Sequence, residues 1–211
     1  YQLINANPFK FTVMKSHQYQ NLNFKVMGKT MLFIWLLSFT IMTSAQVRKI
    51  NVQKSTITWT GKKVTGEHKG SLKFLSGSVT LKNKKISDGS FVVDMTTLAN
   101  TDQTGSGKAK LEGHLKSADF FDTEGYKTAK MDFKSVTAKP KGVYTVTADL
   151  TIKGKTNPVK FDLVTKGKTA TADLTIDRTK YGIQYGSGSF FDDLGDRTIY
   201  DEFDLHVTLS Y

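Results

Sequence analysis

The chain has 211 residues, 38% of them hydrophobic, and a formal net charge of +11. It contains no cysteine, which excludes a disulfide-stapled scaffold and a lipid anchor carried on a cysteine. Basic residues are dispersed, with no stripe of interleaved aromatics, which argues against nucleic acid as a partner.

The chain begins with Tyr1, and residues 1–26 hold no acidic residue and no clear periodicity. This segment is expected to be an unstructured extension, with translation starting at Met27 or at Met14. Lys29 precedes the apolar run from Met31 to Met42, and Thr43-Ser44-Ala45 follows. A short basic lead, an apolar run and a small-residue exit describe a secretory signal peptide over 27–45, cleaved after Ala45. The run falls short of the roughly 20 apolar residues of a membrane-spanning helix. Export to the periplasm or the exterior follows as an expectation, with nothing spanning a membrane after cleavage. Four of the 30 basic residues and none of the 19 acidic ones lie in 1–45, which leaves 46–211 at +7. That charge allows a weak attraction to anionic surfaces.

Residues 48–64 predict a first long strand, bent near Lys54-Ser55, with Ile57 and Trp59 alternating with threonines. Thr65–Gly70 predicts a turn, Ser71–Leu81 a second strand, Asn83–Lys85 a turn and Gly89–Met95 a third strand. The alternation stops over Thr97–Ser117, where Lys108–Lys116 holds Leu111 and Leu115 at i, i+4 and predicts a short helix. Asp119-Phe120-Phe121-Asp122 follows as an apolar knuckle. Further strands are predicted at 129–138, 143–153, 159–165, 169–177 and 201–211, with a loop rich in Gly, Tyr and Phe over 178–200. From Tyr144 to Ile152 every second residue is apolar. Successive strand residues point to opposite faces, so this period of two means one dry and one wet face. Eight strands with short connections predict an all-β fold, a single antiparallel barrel, or failing closure a sandwich, with one short helix after the third strand.

No catalytic constellation emerges. His68, His114 and His206 lack zinc-type spacing, and Gly186-Ser-Gly-Ser189 lacks the G-x-S-x-G spacing of a nucleophile elbow. Asp192, Asp193 and Asp196 do not match a calcium loop. No metal or catalytic residue is assigned. Binding is better supported, because a small barrel is only just filled by side chains and can hold one small ligand. Trp59, Phe74, Phe91, Phe133, Tyr144, Phe161 and Phe203 supply aromatic surface, much of it serving plain core packing. Phe120-Phe121 and Phe190-Phe191 fall in irregular segments and are expected to close the barrel ends.

Trp59, the Thr65-Gly-Glu-His68-Lys-Gly70 turn, Phe91-Val-Val-Asp94-Met95, His114–Asp122 with its Asp-Phe-Phe-Asp ending, Leu150-Thr-Ile-Lys-Gly154 and Ile176-Asp-Arg178-Thr-Lys-Tyr181-Gly occur in that order. Over about 47–211 the chain resembles the YceI-like, polyisoprenoid-binding family of exported bacterial proteins. There are two departures. Lys127, and not the family's frequent proline, follows Tyr126, which touches only the local turn. Lys108 and Lys110 stand near where an arginine often opens the helix, so a head-group contact by arginine there does not carry over. The resemblance implies an extended lipocalin-like antiparallel barrel over 46–211 that holds an amphiphilic lipid, such as an isoprenoid quinone or a polyprenyl chain. No cofactor beyond that ligand is implied, and no enzymatic activity. The expected tunnel lining comprises the aromatic residues above together with Val93, Met131, Val146, Leu163, Leu174 and Ile176. His68, His114, Arg178 and Tyr181 are the head-group candidates. A lipid-modifying enzyme or accessory, and an envelope protein with a filled barrel, are the alternatives. An exposed edge strand would suffice for a homodimer, although no residue demands one.

Overall fold

Alternating apolar and polar residues build nine strands within residues 45–211, the residues that the computed structural model describes. The expected extension and the expected signal segment, up to residue 44, lie outside them. The strands are β1 (Ala45–Lys49), β2 (Thr56–Lys63), β3 (Gly66–Lys82), β4 (Lys85–Asn100), β5 (Thr128–Ala138), β6 (Val143–Ile152), β7 (Lys155–Lys166), β8 (Thr169–Asp177) and β9 (Ile199–Ser210). One helix, α1 (Gly105–Lys116), follows β4. Every strand pairing is antiparallel. The order β3-β2-β9-β8-β7-β6-β5-β4, with β4 returning to β3, closes an eight-stranded barrel, and β1 lies on β3 as a ninth strand. The whole ring and its core fall within a compact unit, Ser44–Tyr211. A unit with its own core is able to fold by itself.

The predicted first strand is two. Between β1 and β2 the chain turns, with Asn51 Oδ1 accepting from the Gln53 and Lys54 N–H groups at 3.1 Å each. An Asx side chain that captures backbone donors in this way competes with strand continuation. The predicted 65–70 turn is mostly strand: Lys63 pairs with Gly66, and His68 with Gly61. The third predicted strand runs on to Asn100, because Gly70 and Ser71 of β3 pair with Asn100 and Ala99. Pro158, which falls between the strands predicted at 143–153 and 159–165, lies inside β7. Its missing N–H is tolerated there, because β7 pairs with β8 only over Leu163–Lys166 and leaves that edge unpaired. Asn83 and Lys84 both take positive φ, 53° and 62°, the geometry of a two-residue hairpin turn whose twist suits the flanking strands.

Burial follows the period of two most cleanly in β6, where Tyr144, Val146, Ala148, Leu150 and Ile152 are all buried and their neighbours are not. Registers carry these inward positions around the barrel in rows. Trp59, Leu205 and Leu174 face one another across β2, β9 and β8, and Ile57, Val207, Ala172 and Leu163 form the next row through β7. The β2–β3 hairpin, α1, the β6–β7 hairpin and the long loop before β9 gather at one end of the barrel. There Lys153 Nζ donates to the Ala118 and Phe120 carbonyls at 2.7 and 3.0 Å, tying the knuckle after α1 to the β6–β7 turn.

Candidate functional site: an apolar cavity in the barrel

Inward-facing residues fall into two groups. Tyr144 and Val146 are packed into solid core and Ile176 borders a separate cleft, so none of the three reaches the cavity, whereas Leu150 and Ile152 of the same β6 face line it. Leu72, Val93, Met131, Phe203, Leu205 and Val207 point inward yet stay only partly buried, because they face the space of a cavity of about 340 Å³. That volume lies at the lower end of the roughly 300–1,000 Å³ of ligand pockets.

Aromatic rings form much of the wall. Phe74, Phe91, Phe133 and Phe161 contact one another in series at centroid distances of 6.2, 5.5 and 6.0 Å. Phe121 bridges Phe120 at 5.1 Å and Phe203 at 6.1 Å. Trp59, Phe74, Phe91, Val93, Phe120, Phe121, Met131, Phe133, Phe161, Leu163, Leu174 and Phe203 all stand on the cavity. α1 contributes Leu111, His114 and Leu115, and the i, i+4 spacing of its leucines was the sequence signal for that face.

The cavity reaches the surface at the α1 end, where exposed Lys62, Lys63, Tyr200 and Glu202 join its lining. Sequence reasoning missed Tyr200 and Glu202. Strand alternation places Glu202 on the wet face, and only its position at a barrel rim brings it to the mouth.

Three head-group candidates, His68, His114 and Arg178, line the cavity, but their environments differ. His68 Nδ1 lies 3.0 Å from Asp102 Oδ2. Burial pushes the Asp102 carboxyl up, and hydrogen bonds from His68, the Lys69 N–H and Asn100 outweigh that and hold it below its ordinary value. Arg178 is almost fully buried, and its three nitrogens donate to the Tyr200, Ile183 and Ile199 carbonyls at 3.1, 2.8 and 2.9 Å. Asp201 Oδ1 stands 3.7 Å away and the Phe120 ring centroid 5.5 Å away. Burial pushes the guanidinium below its ordinary value while Asp201 and Asp177 oppose that; it remains a cation, since arginine does not deprotonate in proteins. Arg178 thus fastens the long loop and the start of β9 to the barrel. His114 Nε2 is buried without a hydrogen-bond partner, as is Trp59 Nε1. The His114 ring packs against Tyr185 at 4.3 Å and Phe120 at 5.6 Å.

Tyr181 lies elsewhere. It is buried in the 3-10 turn Arg178–Tyr181 and lines a separate cleft with Pro158, Val159 and Ile176. The turn is drawn to that side because the Lys180 carbonyl accepts from Asn157 Nδ2 at 3.1 Å. Burial, with Asp177 nearby, pushes the Tyr181 hydroxyl up to about 12. The raised folded-state value means that its contribution to stability is complete below about pH 10, the ordinary tyrosine value, and is lost as the pH rises through about 12. Wild type is therefore expected to lose melting temperature between those two pH values faster than Tyr181→Phe, in thermal melts across the alkaline range.

Phe190 and Phe191 do not close the barrel. Both are half-exposed and neither reaches the cavity, because their N–H groups bond to the Ser187 carbonyl at 3.2 and 3.0 Å and turn the segment outward. Among the described residues no group of three or more His, Cys, Asp or Glu side chains is placed to hold a metal ion. No helix among them is long and apolar enough to cross a membrane.

A closed antiparallel barrel with an apolar interior cavity and a polar rim defines a lipocalin-like binding fold. The YceI-like domain model matches residues 49–211, and the chain belongs to that family, which is one of binding proteins and not of enzymes. It is similar to a UPF0312 protein of Shewanella denitrificans, 34% identical over 92 residues, covering 44% of this chain and 46% of that one. A UPF0312 protein of Staphylococcus aureus is 40% identical over 85 residues, covering 35% and 47%. The chain thus spans about half the length of these relatives. In fold it is similar to Burkholderia cenocepacia BcnA, with a TM-score of 0.62 at 22% identity, covering 77% of this chain and 99% of that one. A polyisoprenoid-binding domain from Saccharophagus degradans, implicated in plant cell wall breakdown, gives a TM-score of 0.54 at 13% identity, covering 79% and 97%.

Proposed function

We propose that residues 46–211 bind an isoprenoid-like or other amphiphilic lipid in the barrel cavity and act as a carrier or sequestering protein, exported to the periplasm or the exterior by residues 27–45. The observation that carries this reading is the continuous apolar cavity, walled by Trp59 and the phenylalanine series, with exposed polar side chains such as Lys62, Lys63 and Glu202 joining its lining. Burying apolar surface contributes about 25 cal/mol per Å², so an isoprenoid chain needs few polar contacts for affinity. The polyisoprenoid-binding neighbour of similar fold supports the same ligand class. Trp59 Nε1, a donor only, and His114 Nε2 are buried and unpaired in side chains that line the cavity, so a quinone or alcohol oxygen meets either one only where that side chain turns toward the ligand. Arg178 is already committed to three carbonyls and contributes position more than head-group binding. The cavity argues against the filled-barrel alternative.

Trp59 is the one tryptophan of residues 45–211, so its emission reports on the cavity. Decylubiquinone is expected to quench it saturably, and organic extraction of freshly purified protein is expected to release a prenyl lipid detectable by mass spectrometry. Protein that carries no lipid and leaves Trp59 emission unchanged at saturating decylubiquinone would refute the reading. For export, a reporter fused to residues 27–46 is expected to leave the cytoplasm.

A further inference from the structure

Five large apolar side chains, Val64, Tyr185, Phe190, Phe191 and Tyr200, stand half-exposed at the cavity end of the barrel. They come from the β2–β3 turn, the long loop and the start of β9, and backbone bonds hold these segments together. The Val64 N–H donates to the Thr198 carbonyl at 3.1 Å, and the Ile199 N–H to the Gly186 carbonyl at 2.8 Å. Ser189 Oγ donates to Asp201 Oδ2 at 2.5 Å. The patch is therefore a built surface. It is also continuous with the cavity, because Tyr200 lines the mouth and Tyr185 touches His114, itself a cavity residue.

From this we infer that the mouth of the barrel docks on a lipid bilayer, with Phe190 and Phe191 as the inserting side chains, so that a lipid passes between bilayer and cavity without crossing water. The inference rests on the lipid-binding reading for what passes, but not for the docking itself. Tyr185 and Tyr200, with an apolar body and a polar tip, favour the bilayer interface, and Phe190 and Phe191 are the purely apolar side chains that bury at the headgroup and acyl boundary. Charge decides which bilayer. Lys62, Lys63 and Arg197 are offset by Asp192, Asp193, Asp196 and Glu202, and Lys62 is already paired with Asp204 at 2.8 Å. With no basic excess at the patch, attraction to anionic headgroups is not the driving force, and a neutral bilayer suffices.

Residues 45–211 are expected to co-sediment with vesicles of pure phosphatidylcholine and to remain bound at about 0.5 M salt, where surface electrostatics is screened out. Phe190→Ala/Phe191→Ala is expected to lower that partition by roughly tenfold or more. Neither side chain touches the cavity, so quenching of Trp59 by decylubiquinone in vesicle-free buffer stays unchanged in the double variant. Absence of vesicle binding, loss of binding in high salt, or binding indifferent to the double substitution overturns the inference. So does a concentration-dependent dimer that the substitutions dissolve, which reassigns the patch to a second copy of the chain. Vesicle binding without any quenching of Trp59 instead refutes the cavity reading and leaves the docking intact.

Discussion

Replacing Arg178 with methionine is expected to destabilise the barrel by about 3–5 kcal/mol, the cost of removing one partner from a buried, hydrogen-bonded charge. The side chain is one of the most completely buried in the described residues. Its loss strands the Ile183, Ile199 and Tyr200 carbonyls, each costing about 1–3 kcal/mol where water cannot replace the donor. It also leaves Asp201 without its cation. The melting temperature is expected to fall by roughly ten degrees in a domain of this size. Arg178→Lys keeps the charge but lacks the planar fork that spans three carbonyls, so it should recover only part of the loss. Urea denaturation of the three proteins measures this. A loss below about 1 kcal/mol in the methionine variant would mean that water satisfies the carbonyls, and the fastening role would be abandoned.

Gly70→Ala is expected to damage stability and ligand binding together. A Cβ at Gly70 would lie 2.0 Å from the Ala99 carbonyl oxygen and 2.3 Å from two carbons of the Trp59 ring. Gly70 pairs with Trp59 on one side and Asn100 on the other, so neither ladder can move aside alone. The indole must swing into the cavity, or the sheet must open. Overpacking of this kind costs typically about 1–3 kcal/mol. An indole in the cavity would displace the space a ligand needs, so decylubiquinone affinity is expected to fall with the stability. Calorimetric melting and a quench titration on the same preparation test both. A stable variant with unaltered decylubiquinone binding would show that the cavity does not depend on where Trp59 lies.

The residues that the local pattern misplaced share one cause. Thr65-Gly-Glu-His68-Lys-Gly70 has turn composition, yet β2 offers it a pairing partner all the way to Lys63, and partner geometry overrides composition in strands. Pro158 reads locally as a break, and only the divergence of β8 makes it acceptable in β7. Phe190 and Phe191 have the composition of buried residues. Their outward turn is set by the Ser187 carbonyl, for which a doubled aromatic carries no local signal. Tyr181 sits three residues from Arg178 and looks like its companion, but a single 3-10 turn sends the two side chains to different clefts.

Strand alternation by itself determined the all-β class and the inward face of each strand, because a period of two is a property of the extended backbone alone, and the short connections added the antiparallel order. The aromatic wall from Trp59 to Phe203 was legible for the same reason. What only the tertiary structure decided is which inward residues meet one another and which meet empty space. Tyr144 and Val146 pack solid while Leu150, Ile152 and Leu174 line the cavity. That division depends on the summed volumes of side chains that eight strands bring to each level of a closed ring.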